Sequence, residues 1–227
     1  MTRLPIVLSV PHGGLEVPGW LAGNCLLSPE QILKDGDEGA SEIYSLQLEV
    51  ERFTSTPIAR AVLDMNRSEG DDSKDGIVKT HTCWDEPVWS RPLSSEEEER
   101  LLAEHYRPYH AALTEAASSV RLGVDAHTMA ATAPPVAPDA GRRRPAACLS
   151  NADGTCPDEW LRVLASVLRE KLGEVRINDP FRGGFITRSH AAELPWLQLE
   201  LSRAPDKTIR EKREAVLNAL LALASIL

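Results

Sequence analysis

The chain has 227 residues, 42% hydrophobic and 26% charged, with a formal net charge of −9 at pH 7. That length suits one α/β domain and is short for two. An acidic balance repels phosphate backbones, so a nucleic-acid partner is not expected. No apolar run reaches the roughly 18 residues of a membrane span, which argues against a membrane protein.

Residues 4–10, LPIVLSV, read as a buried strand that stops at Pro11 and delivers His12 into the pair Gly13–Gly14. Bare glycines beside an imidazole suggest room for something to approach it, a cation with its solvent being the preferred reading. Histidine and glycine stand where a secretory signal would carry a small-residue cleavage site. Cys25, Cys83, Cys148 and Cys156 are dispersed, with no CxxC pair, as suits reduced thiols in the cytoplasm.

Further along, 40–53 suggests an amphipathic helix, 57–66 a strand with Asp64 near its end, and 70–93 a long polar loop. Residues 94–119 read as a helix with overlapping capping boxes, Ser94 to Glu97 and Ser95 to Glu98, and a kink at Pro108. A strand over 121–129 carries Asp125 and His127. The Pro- and Arg-rich segment 131–145 reads as an exposed, mobile loop. Strands follow at 146–151, 174–179 and 194–202, with helices at 158–173, closed by Gly173, and 208–227. Such alternation predicts a mixed, mostly parallel central sheet flanked by helices on both faces.

In open α/β sheets, sites form outside the carboxyl ends of strands. His12, Asp64, Asn66, Arg67, Asp125, His127 and Glu200 are therefore candidates to converge. Milder roles exist for several: Asp64 as a helix cap, Arg67 as a surface cation, and His12 as an ordinary loop residue. Glu200 is harder to dismiss. Alternation puts Leu197, Leu199 and Leu201 on one face and Gln198 with Glu200 on the other, and a carboxylate on a central strand needs a partner or a function. Two imidazoles and a carboxylate can hold Zn²⁺ with a position left for water, whose pKa falls to about 7. A second carboxylate then moves the proton, and an arginine grips a substrate carboxylate. His12, His127, Glu200 and Arg67 suit those roles, although no compact motif such as HExxH occurs.

The blocks SVPHGG, DMNR, HYRPYHAAL, DAHTM, DPFRGGFIT and LQLEL occur in that order between about residues 6 and 203. In them the chain resembles the N-formylglutamate amidohydrolase (N-formylglutamate deformylase) family. It is more distantly similar to zinc carboxypeptidases and succinylglutamate desuccinylases. The resemblance implies a single domain over 1–227 with a zinc-carboxypeptidase-like (phosphorylase/hydrolase-like) fold and an eight-stranded mixed sheet. It also implies zinc-dependent hydrolysis of the amide of a small N-formyl or other N-acyl amino acid. The implied metal ligands are His12, Asp37 and His127, with Glu16 as the alternative to Asp37. Glu200 is the implied general base, and Asn66 with Arg67 grips the α-carboxylate at the reacting centre.

Imidazole and carboxylate suit several divalent metals besides zinc. Gly183 and Gly184 would let backbone approach the ligand, with Arg182 either on a side-chain carboxylate or in solvent. Among the remaining histidines, His110 is a candidate support behind the metal site. His81 reads as a lid or loop residue, and His190 as exposed or at the cleft rim. A metallopeptidase or peptide-tailoring amidase, and a non-catalytic binding protein, are the rival readings.

Overall fold

The computed structural model describes residues 3–135 and 137–227. The ends of the expected domain at Met1 and Thr2, and Val136 within 131–145, lie outside the described residues. Six strands form one sheet: β1 (Leu4–Val10), β2 (Val50–Ser55), β3 (Leu122–Met129), β4 (Ala147–Ser150), β5 (Val175–Ile177) and β6 (Trp196–Ser202). Their spatial order is β2-β1-β3-β6-β4-β5. Every neighbouring pair is parallel except β4 against β6. The sheet is thus mixed and mostly parallel, with six strands among the described residues where the resemblance implied eight.

Strands β1, β3 and β6 are central and buried along their length; β1 accordingly reads as a nearly continuous apolar run, whereas β3 and β6 alternate apolar residues with polar ones. On one face Leu8, Val124 and Leu199 meet Leu164 and Leu168 of α5 (Asp158–Leu172) and Val216 and Leu220 of α7 (Ile209–Ala224). Numbering of the remaining helices is α1 (Pro29–Asp35), α2 (Ala40–Ile43), α3 (Ser95–Leu101), α4 (Arg107–Ala116) and α6 (Phe185–Ser189). On the opposite face Val7 and Trp196 pack in the same cluster as Tyr109 and Leu113 of α4. The period-two alternation of strands puts Asp125, His127, Gln198 and Glu200 on that second face.

Two local expectations change. The segment 40–53 holds only the short α2 before the chain extends into β2, and Leu48 is 81% exposed rather than part of an apolar helix face. The segment 57–66 forms turns instead of a strand. Pro57 has no N–H for a ladder, so edge strand β2 ends just before it and only isolated bridges, Glu16 to Ile58 and Gly14 to Ala59, follow. The kink at Pro108 takes the form of a π-helical turn over Leu102–Tyr106, with the Arg107 N–H bonded to the Leu102 carbonyl five residues back. Proline lacks the N–H that an ordinary turn would use there, and the wider turn absorbs the loss. Of the two overlapping capping boxes, the one from Ser94 to Glu97 forms.

Segment 131–145 folds back on itself, pairing Thr132 with Arg143. Arg142 and Arg143 are exposed, whereas Arg144 is buried, ion-paired with Asp139 at 2.9 Å and placed over the Phe181 ring.

In the β3–β6 register Gly123 faces Trp196, and a Cβ at Gly123 would fall inside the indole. Gly123→Ala is expected to lower stability by about 1–3 kcal/mol, the usual range for overpacking. A denaturation midpoint equal to that of the parent chain would show that the indole is not seated on Gly123.

Candidate metal centre

The first turn after β1 carries His12, the turn between α1 and α2 carries Asp37, and β3 carries His127. A backbone bond from Asp37 N–H to the His12 carbonyl, 3.1 Å long, draws the first two together. Asp37 Oδ2 lies 2.9 Å from His127 Nδ1 and 3.6 Å from His12 Nδ1. All three residues are buried, and their donor atoms lie within 4.8 Å of one another.

Each imidazole is oriented from behind. His12 Nε2 is 2.7 Å from Asp64 Oδ1, and His127 Nε2 is 3.0 Å from Asp125 Oδ1. A carboxylate only accepts, so each ring donates through Nε2 and turns Nδ1 toward Asp37. Asp64 also accepts from Arg60 Nε at 3.1 Å and from the Asn66 N–H at 2.8 Å. Burial opposes ionisation of Asp64, but His12, Arg60 and Arg67 outweigh it and hold its carboxyl well below the usual range. Asp37 is depressed in the same way, against burial, by His12 and His127. Burial works to lower the His127 imidazole, yet Asp125 and then Asp37 hold it well above its ordinary value.

The donor set fits a divalent cation. Ligands about 2 Å from an ion at tetrahedral angles stand about 3.3 Å apart, and the two Asp37–imidazole separations bracket that value. Two imidazoles and a carboxylate suit a borderline metal.

Glu200 stands opposite His127 in the β3–β6 register and is buried on the same face. Gln198 Nε2 donates to Glu200 Oε1 at 2.7 Å, while Gln198 Oε1 accepts from the Gly184 N–H at 2.5 Å. Burial raises the Glu200 carboxyl above its ordinary value, with His127 pulling the other way. Asn66 donates from Nδ2 to Asp125 Oδ2 at 3.2 Å and accepts from the Ile186 N–H at 2.8 Å. A Cβ on Gly184 would overlap the Asn66 amide, so this approach requires glycine.

These groups open into a cleft of about 330 Å³. His12, Asp37, His127, Glu200, Asn66, Arg67, Arg182, Gly183 and Gly184 all line it. Glu16 does not: it is exposed, and its backbone bridges to Ile58. Asp37 therefore joins the two histidines, and Glu16 stays apart. The Gly13–Gly14 pair answers a different need from the one read in the sequence. A Cβ on Gly14 would strike the backbone of Pro57 and Ile58, so close chain packing, rather than space for an ion, requires glycine there.

His190 is buried, not at the rim, and sits between Glu193 at 2.8 Å and His110 at 2.9 Å. His110 Nε2 bonds the Met65 carbonyl at 3.0 Å, bracing the loop that carries Asn66; burial and the nearby His190 push its imidazole down to about 4. His81 lies outside the cleft lining. Gln198 is placed by its sequence on the face of Glu200, but its bond to that carboxylate is seen only in the structure. Its position two residues before Glu200 was the available signal.

Residues 4–205 match the family model described as N-formylglutamate amidohydrolase. The chain belongs to the N-formylglutamate amidohydrolase family. Within it, N-formylglutamate deformylase of Pseudomonas putida is 27% identical over 221 residues, covering 89% of this chain and 81% of that protein. The Pseudomonas aeruginosa deformylase is 28% identical over 220 residues, 88% of this chain and 81% of its own. The crystal structure of N-formylglutamate amidohydrolase from Ralstonia eutropha superposes with a TM-score of 0.82 at 22% identity, covering 99% of this chain and 94% of that one. The architecture described above is therefore shared with that member of the N-formylglutamate amidohydrolase family.

Asp64→Asn keeps the side-chain shape but leaves Arg60 without its closest carboxylate, so it should lower stability and also weaken metal binding about 10- to 100-fold, the usual effect of losing a carboxylate behind a ligating imidazole, in protein that remains folded at the assay temperature. Competition with a chromogenic chelator measures it, and an unchanged affinity would separate Asp64 from the centre. A cation taking these donors must also displace the proton that the elevated His127 retains. Metal affinity is accordingly expected to rise with pH from 6 to 8, by up to about tenfold per unit for each proton displaced. A flat profile in the same chelator assay would remove His127 from the ligand set.

Proposed function

We propose that the protein hydrolyses the amide bond of an N-formyl, or other N-acyl, amino acid of N-formylglutamate type, using Zn²⁺ held by His12, Asp37 and His127. One observation carries this reading: two imidazoles distant in sequence meet Asp37 with their donor atoms within 4.8 Å, beside a buried glutamate, in a chain of this family. When bound, zinc supplies Lewis acidity, polarising the amide carbonyl and making water a competent nucleophile near neutral pH. The mixed sheet, with this cluster at the carboxyl ends of β1 and β3, supports a carboxypeptidase-like reading of the fold.

Glu200 is the general base. Gln198 fixes its Oε1 and leaves Oε2 to take a proton from the attacking water and return it to the leaving amine. A burial-raised carboxyl gives up a captured proton less readily than an exposed one, which suits a group that must carry it between two partners. Arg67 takes the substrate α-carboxylate. Asp75 holds it from behind at 3.0 Å, and each terminal nitrogen keeps an N–H beyond the bonds to Asp75 and the Asn66 carbonyl. Asn66 completes that wall, and the backbone of Gly183 and Gly184, with Arg182 at the rim, bounds the acyl side of the cleft. All four cysteines are free thiols, which supports the cytoplasmic setting read from their spacing.

Zinc-loaded protein is expected to release formate from N-formyl-L-glutamate. Glu200→Gln should retain stoichiometric metal and lose about 10²- to 10⁴-fold in turnover, the range for removing a general base. Full activity in that variant would assign the base elsewhere, and no turnover on N-formyl, N-acetyl or N-succinyl amino acids by the parent protein would overturn the proposed activity.

A further inference from the structure

Five arginines line the cleft, and four of them already face a protein carboxylate, Arg67 with N–H groups to spare. Arg60 pairs with Asp64 at 3.1 Å, Arg67 with Asp75 at 3.0 Å, Arg144 with Asp139 at 2.9 Å and Arg182 with Asp153 at 3.5 Å. Arg203 is the exception. Among the described residues, no carboxylate oxygen lies within 4.0 Å of its guanidinium. Its side-chain bond runs from Nη1 to the Gly36 carbonyl, 3.1 Å away.

Arg203 is also held firmly in place. It follows β6, three residues beyond Glu200, and its backbone N–H donates to the Met129 carbonyl of β3 at 2.8 Å. Gly36, which anchors the other end, directly precedes Asp37 of the metal cluster. The side chain is half-buried. Of its five N–H donors, one is used and four remain. A partly desolvated guanidinium lacking an anionic partner, pinned beside a reaction centre, is a site for an anion that comes and goes.

We propose that Arg203 selects N-acylated dicarboxylic amino acids by pairing with the second carboxylate of the substrate. This rests on the activity proposed above, in which Arg67 and Asn66 take the α-carboxylate. Arg182 is the other cleft arginine placed for that second group, but it is 67% exposed and already faces Asp153. The fork of Arg203 can close on a carboxylate through two parallel bonds, whereas a neutral side-chain amide offers one acceptor and two clashing donors. Discrimination against the amide therefore follows from donor chemistry rather than from size.

The test compares kcat/KM for N-formyl-L-glutamate and its near-isostere N-formyl-L-glutamine in zinc-loaded parent, Arg203→Gln and Arg203→Lys proteins. Calorimetric binding of glutarate and of its monoamide is measured alongside. The parent should prefer the dicarboxylate in both assays. Arg203→Gln should reduce that preference about 10- to 100-fold, as expected for a charge-assisted pair, while Arg203→Lys should retain part of it. An unchanged ratio in Arg203→Gln, an equal loss on both substrates, or a parent with no preference would overturn the assignment. Should Arg203→Gln melt early, Arg203→Met, which keeps the aliphatic stem, reads the same ratio. If the parent turns over neither substrate, the proposed activity falls, and the glutarate comparison still decides the role of Arg203.

Discussion

Everything in this cleft depends on one buried carboxylate, that of Asp37, standing between the Nδ1 atoms of two imidazoles. Burial alone would neutralise it. Its ionised form persists because His12 and His127 face it, and those rings keep that orientation because Asp64 and Asp125 hold their far nitrogens. Asp64 is in turn neutralised by Arg60, which also approaches Asp75, and Asp75 with Asp35 flanks the wholly buried Lys79. Removing one member of so connected a set leaves an unpaired charge in a dry interior, which costs far more than the loss of a surface ion pair. The side chains of the centre are thus oriented by protein contacts alone, and such preorganisation is what limits reorganisation during a reaction.

The sheet supplies the second constraint. Because side chains alternate, the parallel register of β3 and β6 delivers His127 and Glu200 side by side, with Asp125 and Gln198 one step below. A slip of one residue would send all four into the apolar layer under α5 and α7. Two loops are then stitched to this face by side-chain amides. Asn66 joins Asp125 to the Ile186 N–H, and Gln198 joins Glu200 to the Gly184 N–H. The segment around Gly183 and Gly184 is therefore a wall of the site. On its other side, His110 and His190 brace the chain at Met65.

Much of this was legible in the sequence, and the exceptions have physical causes. Leu197, Leu199 and Leu201 announced which face Glu200 would occupy, since period-two alternation is local. The capping residue Ser94 and the terminating Gly173 marked helix ends for the same reason. The segment 57–66 reads as a strand because its apolar residues are buried, but they are buried by packing in turns, and burial alone does not separate a strand from a buried turn. The sequence does not show why Gly14 must be glycine, because the backbone it packs against, at Pro57, is 43 positions away in the chain. His190 looked like a surface residue until Glu193 and His110 closed around it.

By itself the sequence determined the alternating α/β character, the aliphatic face of each central strand and the residue types available for chemistry, because these follow from periodicity and side-chain chemistry within a few residues. Only the tertiary structure decided that Asp37 meets the two histidines, that Asp64 holds His12 from behind, and that Asn66 joins Asp125 to the Ile186 N–H. Those outcomes depend on contacts between segments tens of residues apart, set by strand order and register, and no local pattern encodes them.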